Sequence, residues 1–289
     1  MPVNLTRNKK KIVNDPVYGF ISIPDELLFD LIEHPWFQRL RRIRQLGLTD
    51  YVYPGAQHTR FHHALGAMHL MGLAIENLRY KGHEITELEA LSAQAAILLH
   101  DIGHGPFSHA LESSIVPGLH HEQLSLLFMQ ELNRQFGGKL GMTIEIFTGK
   151  YHKHFLHQLV SSQLDVDRLD YLNRDSFYTG VAEGTVGSDR IIKMMEVVNG
   201  ELVLEEKGIY SIEKFLLARR LMYWQVYLHK TVLSAENLLS NMLRRAKYLV
   251  QKGEVVFATK SLMYFLEHTI SSPSESIDEE LLERFAHLD

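Results

Sequence analysis

The run Ala95-Ala96-Ile97-Leu98-Leu99-His100-Asp101-Ile102-Gly103-His104-Gly105-Pro106-Phe107-Ser108-His109 decides how this chain is read. Its small and apolar opening marks a buried helix end, and the glycines and proline that follow forbid regular continuation. His100 and Asp101 fall at that junction. A buried polar pair left unsatisfied costs several kcal/mol, so its partners lie either in the core or on a cation. Adjacent helical residues point about 100° apart, so both can address one ion only from a helix end. The glycines supply that distortion and admit a ligand close to the backbone. His104 shares a face with His100 if the turn stays helical. A hydrogen-bonded His–Asp pair in the core is the plain alternative; His104 and His109 close by favour a metal.

Two further clusters flank this run. Arg60-Phe61-His62-His63-Ala64-Leu65-Gly66 opens a helix expected over 60–80, whose Ala64, Gly66, Ala67, Gly72 and Ala74 allow close packing. The next helix, expected over 86–102, begins with Thr86 and Glu89 in capping-box order. If the two run antiparallel, His63 comes beside His100. The third cluster is Asp165-Val166-Asp167-Arg168-Leu169-Asp170-Tyr171-Leu172-Asn173-Arg174-Asp175. Asp167, Tyr171 and Asp175 share a face at i, i+4 and i+8, whereas Asp170 and Arg174 read as a solvated charged face.

The rest of the chain reads as helices with few interruptions. Residues 1–24 look irregular to extended, with a short strand at Phe20, Ile21 and Ile23. A helical pattern starts at Pro24, carried by Leu27, Leu28, Leu31, Ile32, Trp36, Phe37, Leu40, Ile43 and Leu46, and Gly47 stops it. Helices are expected at 107–114, 121–136 and 153–178, then one long helix from Ile212 towards Gln251 and shorter ones at 255–270 and 277–287. Val197-Val198-Asn199-Gly200 before Leu202-Val203-Leu204 is a hairpin signal. The expected fold is therefore mainly α, a single domain over 1–289 with a small β-hairpin near 197–204. Its core lies at about 50–180 and a C-terminal helical part at about 210–289.

Composition narrows the function. The 289 residues are 45% hydrophobic and 22% charged, the make-up of an ordinary globular chain. A net charge of −5 gives no global grip on nucleic acid or an anionic membrane, although Arg39–Arg44 forms a local basic patch. No apolar run approaches the length of a transmembrane helix, and the basic N-terminus leads into Asn14-Asp15-Pro16, not an apolar signal segment. Without cysteine there are no disulfides, thiolate metal sites or thiol nucleophiles. A cytoplasmic chain is the expectation. The 17 histidines stand above the roughly 2–3% usual in globular chains. Histidine is the commonest metal ligand.

The order His63, His100-Asp101, Asp167 resembles the metal-ligand pattern of the HD-domain phosphohydrolases. PWFQRLRRIRQLG at 35–47, YPGAQHTRFHHALG at 53–66, HDIGHGPFSH at 100–109, HHEQ at 120–123 and DVDRLDYLNRD at 165–175 are similar to the deoxynucleoside triphosphate triphosphohydrolase branch. The likeness runs in order over about 11–250. It implies an HD-domain helical fold in which His63, His100, Asp101 and Asp167 hold a divalent metal. That donor set suits Zn, Fe, Mn, Co or Ni, and Mg less well. It also implies attack at the α-phosphorus of a dNTP, giving deoxynucleoside and intact triphosphate. His109 is then the candidate acid for the leaving 5′-oxygen, with His104 and His121 along the phosphates and Glu112 orienting a histidine.

By the same likeness Arg60, Arg168, Arg219 and Lys230 would meet the triphosphate, and Gln45, Tyr171, Asp175 and Tyr227 the sugar and base. Arg168 stands where a lysine is expected. Lys11, Glu33, Gln38 and Arg41 match positions that bind an activating GTP or dNTP between subunits, which implies a homo-oligomer, dimer or tetramer. Two other readings stay open: an HD phosphohydrolase acting on a monophosphate or cyclic phosphodiester, and a catalytically silent nucleotide-responsive or nucleic-acid-binding module.

Overall fold

The N-terminal segment folds back on itself. In the computed structural model, which describes residues 11–107, 109–115, 120–268 and 279–288, β1 (Lys11–Asp15) pairs antiparallel with β2 (Gly19–Ile23), Lys11 opposite Ile23. The short strand expected at Phe20–Ile23 thus has a partner. Asp15 makes the turn, its Oδ1 accepting from the Val17 and Tyr18 amides at 3.0 Å each.

The pattern from Leu27 to Leu46 does not form one helix. α1 (Glu26–Glu33) is capped by Asp25 and stops at His34, which is extended because Pro35 follows it. Pro35 opens the short α2 (Pro35–Gln38), and a 3₁₀ turn continues over Arg39–Arg41.

α3 (Arg60–Tyr80) and α4 (Glu87–Leu99) are the central pair. The Thr86–Glu89 capping box forms as the sequence predicts. The α-helix ends at Leu99, so the His-Asp pair lies in the turn after it rather than inside a helix reaching 102. α3 is buried along most of its length, from Phe61 and His63 to Leu78.

α5 (His109–Ser114), α6 (His121–Gln135), α7 (Gly141–Phe147), α8 (His154–Val160) and α9 (Val166–Thr179) follow. The single helix expected over 153–178 is two helices. Asp165 N-caps α9 by accepting from the Arg168 amide at 2.8 Å, and it accepts from the Ser162 amide at 2.7 Å. α10 (Ser188–Met194) leads into β3 (Met195–Val198) and β4 (Glu201–Leu204), the predicted hairpin. Asn199 and Gly200 have φ of 54° and 83°, as a two-residue primed turn demands.

The long helix expected from Ile212 is likewise divided. α11 (Ile209–Met222) runs into a π-helical turn at Tyr223–Tyr227, and α12 (Lys230–Gln251) restarts after His229, whose ring accepts from the Thr231 amide. α13 (Lys260–Glu267) begins later than expected, and α14 (Glu279–Ala286) closes the described chain. Buried apolar side chains from Ile21 to Leu288 form one contiguous core. Among the described residues no helix is long and apolar enough to cross a membrane.

Candidate metal centre and nucleotide site

His63 leaves the first turn of α3 and His100 the end of α4, so antiparallel packing sets two distant residues face to face. Their Nε2 atoms are 3.4 Å apart. The Nε2, Nδ1 or carboxylate donors of His63, His100 and Asp101 fall within 4.8 Å of one another, close enough to share an ion. Asp167, on the first turn of α9, joins them: its Oδ1 lies 3.1 Å from His63 Nε2 and 3.5 Å from His100 Nε2. His63 and His100 thus each face both carboxylates, Asp101 and Asp167.

The second nitrogen of each ring fixes its orientation. His63 Nδ1 is 2.7 Å from Asp170 Oδ2, and His100 Nδ1 is 2.6 Å from the Ile97 carbonyl. Each Nδ1–H therefore donates away from the centre and leaves Nε2 facing it, available to an ion once its own proton has left. Two imidazole nitrogens and two carboxylates fit a divalent transition ion by donor type and tautomer alike.

The charge pattern has the same sense. Burial opposes ionisation of His63, yet hydrogen bonds to Asp167 and Asp170 overcome it and push the imidazole up to about 10. His100 is also raised, Asp101 outweighing burial. Asp167 is held low against burial by His100 and His63, and Asp101 by His100, Arg60 and His104. A buried site that favours positive charge in this way could hold a cation.

The carboxylate behind His63 is not solvated. Asp170 and Arg174, read from sequence as an exposed face, are both fully buried. Arg174 Nε and Nη2 each lie 3.0 Å from Asp170, and Nη1 lies 2.7 Å from Asp15 Oδ2. The chain His63–Asp170–Arg174–Asp15 thus ties a candidate ligand to the N-terminal hairpin. It nests against α3 at Gly66, where a methyl group would come within 2.0 Å of Asp170 Oδ1 and 2.2 Å of Arg174 Nη2. The period-of-four spacing of Asp170 and Arg174 gave no sign of burial, because their third partner lies far upstream.

The His-Asp turn is pinned from α6. Ser125 Oγ donates to the His100 carbonyl at 2.6 Å and accepts from the Gly103 amide at 2.9 Å. Gly103 permits this approach, since a Cβ there would sit 2.3 Å from both the His121 carbonyl and the Ser125 amide. The turn is not helical, and His104 reaches Asp101 instead of sharing a helix face with His100, its Nε2 at 3.3 Å from Asp101 Oδ1. His104 also stacks on His121, ring centroids 3.9 Å apart. Burial first, then Arg60, pushes His104 down to about 3, so it is a neutral imidazole at pH 7. The side chains of His109 and Glu112 lie outside the described residues.

The residues matched to nucleotide binding divide into groups. Arg60 is buried and pairs with Asp101, beside the metal centre. Arg168 pairs with the Asp165 carboxylate. Arg219 lies over Tyr223, 5.8 Å from the ring centroid, and Lys230 is exposed at the start of α12. At the far end of α9, Asp175 Oδ2 accepts from Tyr227 at 2.7 Å, and the Tyr171 and Tyr227 rings meet edge to face at 6.2 Å. Gln45 is near this end, its backbone N–H donating to the His58 backbone carbonyl at 3.0 Å, and its Oε1 is buried without a partner among the described residues.

Of the four residues matched to an effector, two are joined. Gln38 donates to the Ile32 carbonyl and accepts from Arg41 Nε, both at 2.7 Å, and Arg41 stacks 3.6 Å from the Phe61 centroid. Lys11 lies over Phe29, 3.8 Å from its centroid, and Glu33 is exposed at the end of α1. Asp15, His58, Ser125, Asp170 and Arg174 escaped the sequence reading of the site.

The family model described as "HD domain" matches residues 60–175, and that of the "HD associated region" matches 186–280. The chain belongs to the HD-domain phosphohydrolase family. A phosphohydrolase of Bacteroides thetaiotaomicron is similar in structure, with a TM-score of 0.94 and 57% identity over 97% of this chain and 70% of that one. The uncharacterized protein YwfO of Bacillus subtilis is 38% identical over 86% of this chain and 58% of its own length. The human deoxynucleoside triphosphate triphosphohydrolase SAMHD1 is 33% identical over 76% of this chain and 42% of its own. The chain spans roughly half the length of these two curated relatives.

Proposed function

We propose that this chain is a metal-dependent dNTP triphosphohydrolase that cleaves at the α-phosphorus. The observation that carries the reading is the division of labour along α9. Asp167 faces the His63–His100–Asp101 cluster, and Asp175, two helical turns on, sits among Tyr227 and Tyr171. That is a rise of about 12 Å, which leaves room for a phosphorylated sugar between a metal end and a polar aromatic end.

A divalent ion held by His63, His100, Asp101 and Asp167 would supply Lewis-acid polarisation of a phosphoryl oxygen and a more acidic water. The chain's own groups do the rest. Arg60 fixes Asp101, while Arg168, Arg219 and Lys230 neutralise the triphosphate. His104, as a neutral imidazole, lines the phosphates together with His121; His109 returns a proton to the departing 5′-oxygen, and Glu112 orients one of the histidines. Asp175, Tyr171, Tyr227 and Gln45 bind the sugar and base. Lys11, Glu33, Gln38 and Arg41 receive a GTP or dNTP effector.

We infer also that the chain acts as a homo-oligomer. α11 exposes Ile209, Tyr210, Leu216 and Leu217, and Trp224 follows in the π-helical turn, an apolar stripe that water disfavours. Two copies of α11 packed antiparallel about Leu216 and Leu217 would set Glu213 of one opposite Arg220 of the other. Such self-complementarity is what a two-fold contact requires.

The test is incubation with each dNTP plus Mn or Mg, with and without GTP, and chromatography of the products. Deoxynucleoside with intact triphosphate supports the reading. Monophosphate with pyrophosphate, or turnover only of a monophosphate or cyclic phosphodiester, replaces it with another HD reaction. No turnover under any condition favours a silent nucleotide-binding module.

A further inference from the structure

The segment between the 3₁₀ turn at Thr49–Tyr51 and α3 buries a histidine that the mechanism above does not use. His58 is 1% exposed, and its Nε2 lies 2.7 Å from Asp175 Oδ1. Its ring stacks on Tyr178, with centroids 4.5 Å apart and planes at 20°. Its backbone carbonyl accepts from the Gln45 backbone N–H. One residue therefore touches two others, Gln45 and Asp175, that the functional reading places at the sugar.

The hydrogen-bond inventory fixes what His58 does. His58 Nδ1 is buried with no hydrogen-bond partner among the described residues. A proton on Nδ1 alone would leave a buried donor unmade and set the Nε2 lone pair against a carboxylate oxygen. A proton on Nε2 donates to Asp175 Oδ1 and avoids both costs. Tyr227 occupies Oδ2 in the same way. Each carboxylate oxygen has a second acceptor site, so Asp175 is held in one rotamer with capacity left for a hydroxyl donor.

We propose that His58 is a positioning residue for the sugar end of the site, clamping Asp175 from the side opposite Tyr227 so that the carboxylate can discriminate a deoxyribose from a ribose. The role rests on the dNTP reading. Among the described residues no hydrogen bond or ion pair joins His58 to the candidate metal ligands, so its contribution is to sugar binding and selectivity.

The experiment compares wild type, His58→Phe and His58→Gln in steady-state kinetics with dGTP and GTP as substrates, alongside imidazole ¹⁵N NMR of the wild type. Phenylalanine keeps the stack on Tyr178 and removes the donor; glutamine returns an N–H near the Nε2 position. His58→Phe is expected to raise KM for dGTP roughly 10- to 100-fold, the scale of a hydrogen bond to a charged group, with a smaller change in kcat. The dGTP over GTP preference falls with it. His58→Gln recovers most of both, and the wild-type spectrum shows His58 as the Nε2–H tautomer.

A folded His58→Phe with wild-type KM and preference overturns the role, as does a glutamine variant no better than phenylalanine. An Nδ1–H tautomer overturns it even if neither variant folds. A wild type that releases no triphosphate from any dNTP overturns the functional reading, and the role with it; wild-type turnover with unchanged variant kinetics overturns the role alone.

Discussion

His63 Nδ1 and Asp170 Oδ2 are 2.7 Å apart, and that bond sets which nitrogen of His63 faces the metal centre. Asp170 is itself held by Arg174, and Arg174 by Asp15. The strand that begins the described chain is thus mechanically part of the site. Asp170→Asn is expected to weaken divalent-metal affinity about 10- to 100-fold. Calorimetric titration of the metal-free protein checks this, and unchanged affinity would show that His63 needs no orienting partner.

Breaking the buried charge chain has a separate cost. Arg174→Met leaves Asp170 and Asp15 buried without their shared cation, and destabilisation of about 3–5 kcal/mol is expected. Asp15→Asn should cost less, because Asp170 still partners Arg174. Denaturant unfolding of both variants tests the order; equal losses would contradict it.

Metal binding should release protons. His63 is raised from its ordinary 6.5 to about 10 by Asp167 and Asp170 against burial. Below about 10 an ion must displace that proton, so affinity rises with pH through this range and levels off above it. The same shift makes His63 stabilise the metal-free fold fully below 6.5 and lose that contribution as pH climbs through about 10. Titrations in buffers of different ionisation enthalpy count the protons. An affinity that is flat between pH 6.5 and 9 would be incompatible with this picture.

Acid should attack a different place. Glu89 is buried, and hydrogen bonds from Lys153, the Thr86 amide and Tyr151 outweigh burial and hold it down to about 2, against an ordinary 4.5. A depressed carboxylate stabilises the fold above 4.5, and that stability drains away as pH falls towards 2. Glu89→Gln is expected to cost on the order of 1–3 kcal/mol at pH 7 and much less near pH 2. Thermal melts at the two pH values measure the convergence.

Leu217→Asp places a charge at the centre of the α11 stripe. If two copies meet there, light scattering should show a smaller species than wild type. The metal affinity of the variant should be unchanged, because α11 contributes none of the four ligands. An unaltered mass would locate the self-contact elsewhere.

Local signals were enough to find the helical architecture where they are strongest. The Thr86–Glu89 box, the Asn199-Gly200 turn and the breaker run after Leu99 are local: neighbouring residues supply their partners, so spacing suffices to find them. The sequence also pointed to His100 and Asp101, because polar residues at a buried helix end need a partner, while the full set with His63 and Asp167 came from the likeness to the HD-domain family. The breaks at His34, Ser161–Asp165 and Leu228–His229 were harder to read, since the apolar periodicity continues across them while caps and a proline interrupt the backbone.

Tertiary structure alone decided which charges are buried. Asp170 and Arg174 look solvated until Asp15 arrives from β1. Ser125 is an unremarked helix residue until it bridges the His100 carbonyl and the Gly103 amide, and His58 gains its meaning from Asp175 on another element. Periodicity reports which face of a helix is apolar. It carries no information about a buried polar group whose partner is far away in the chain, and the support of this site is made of such pairs.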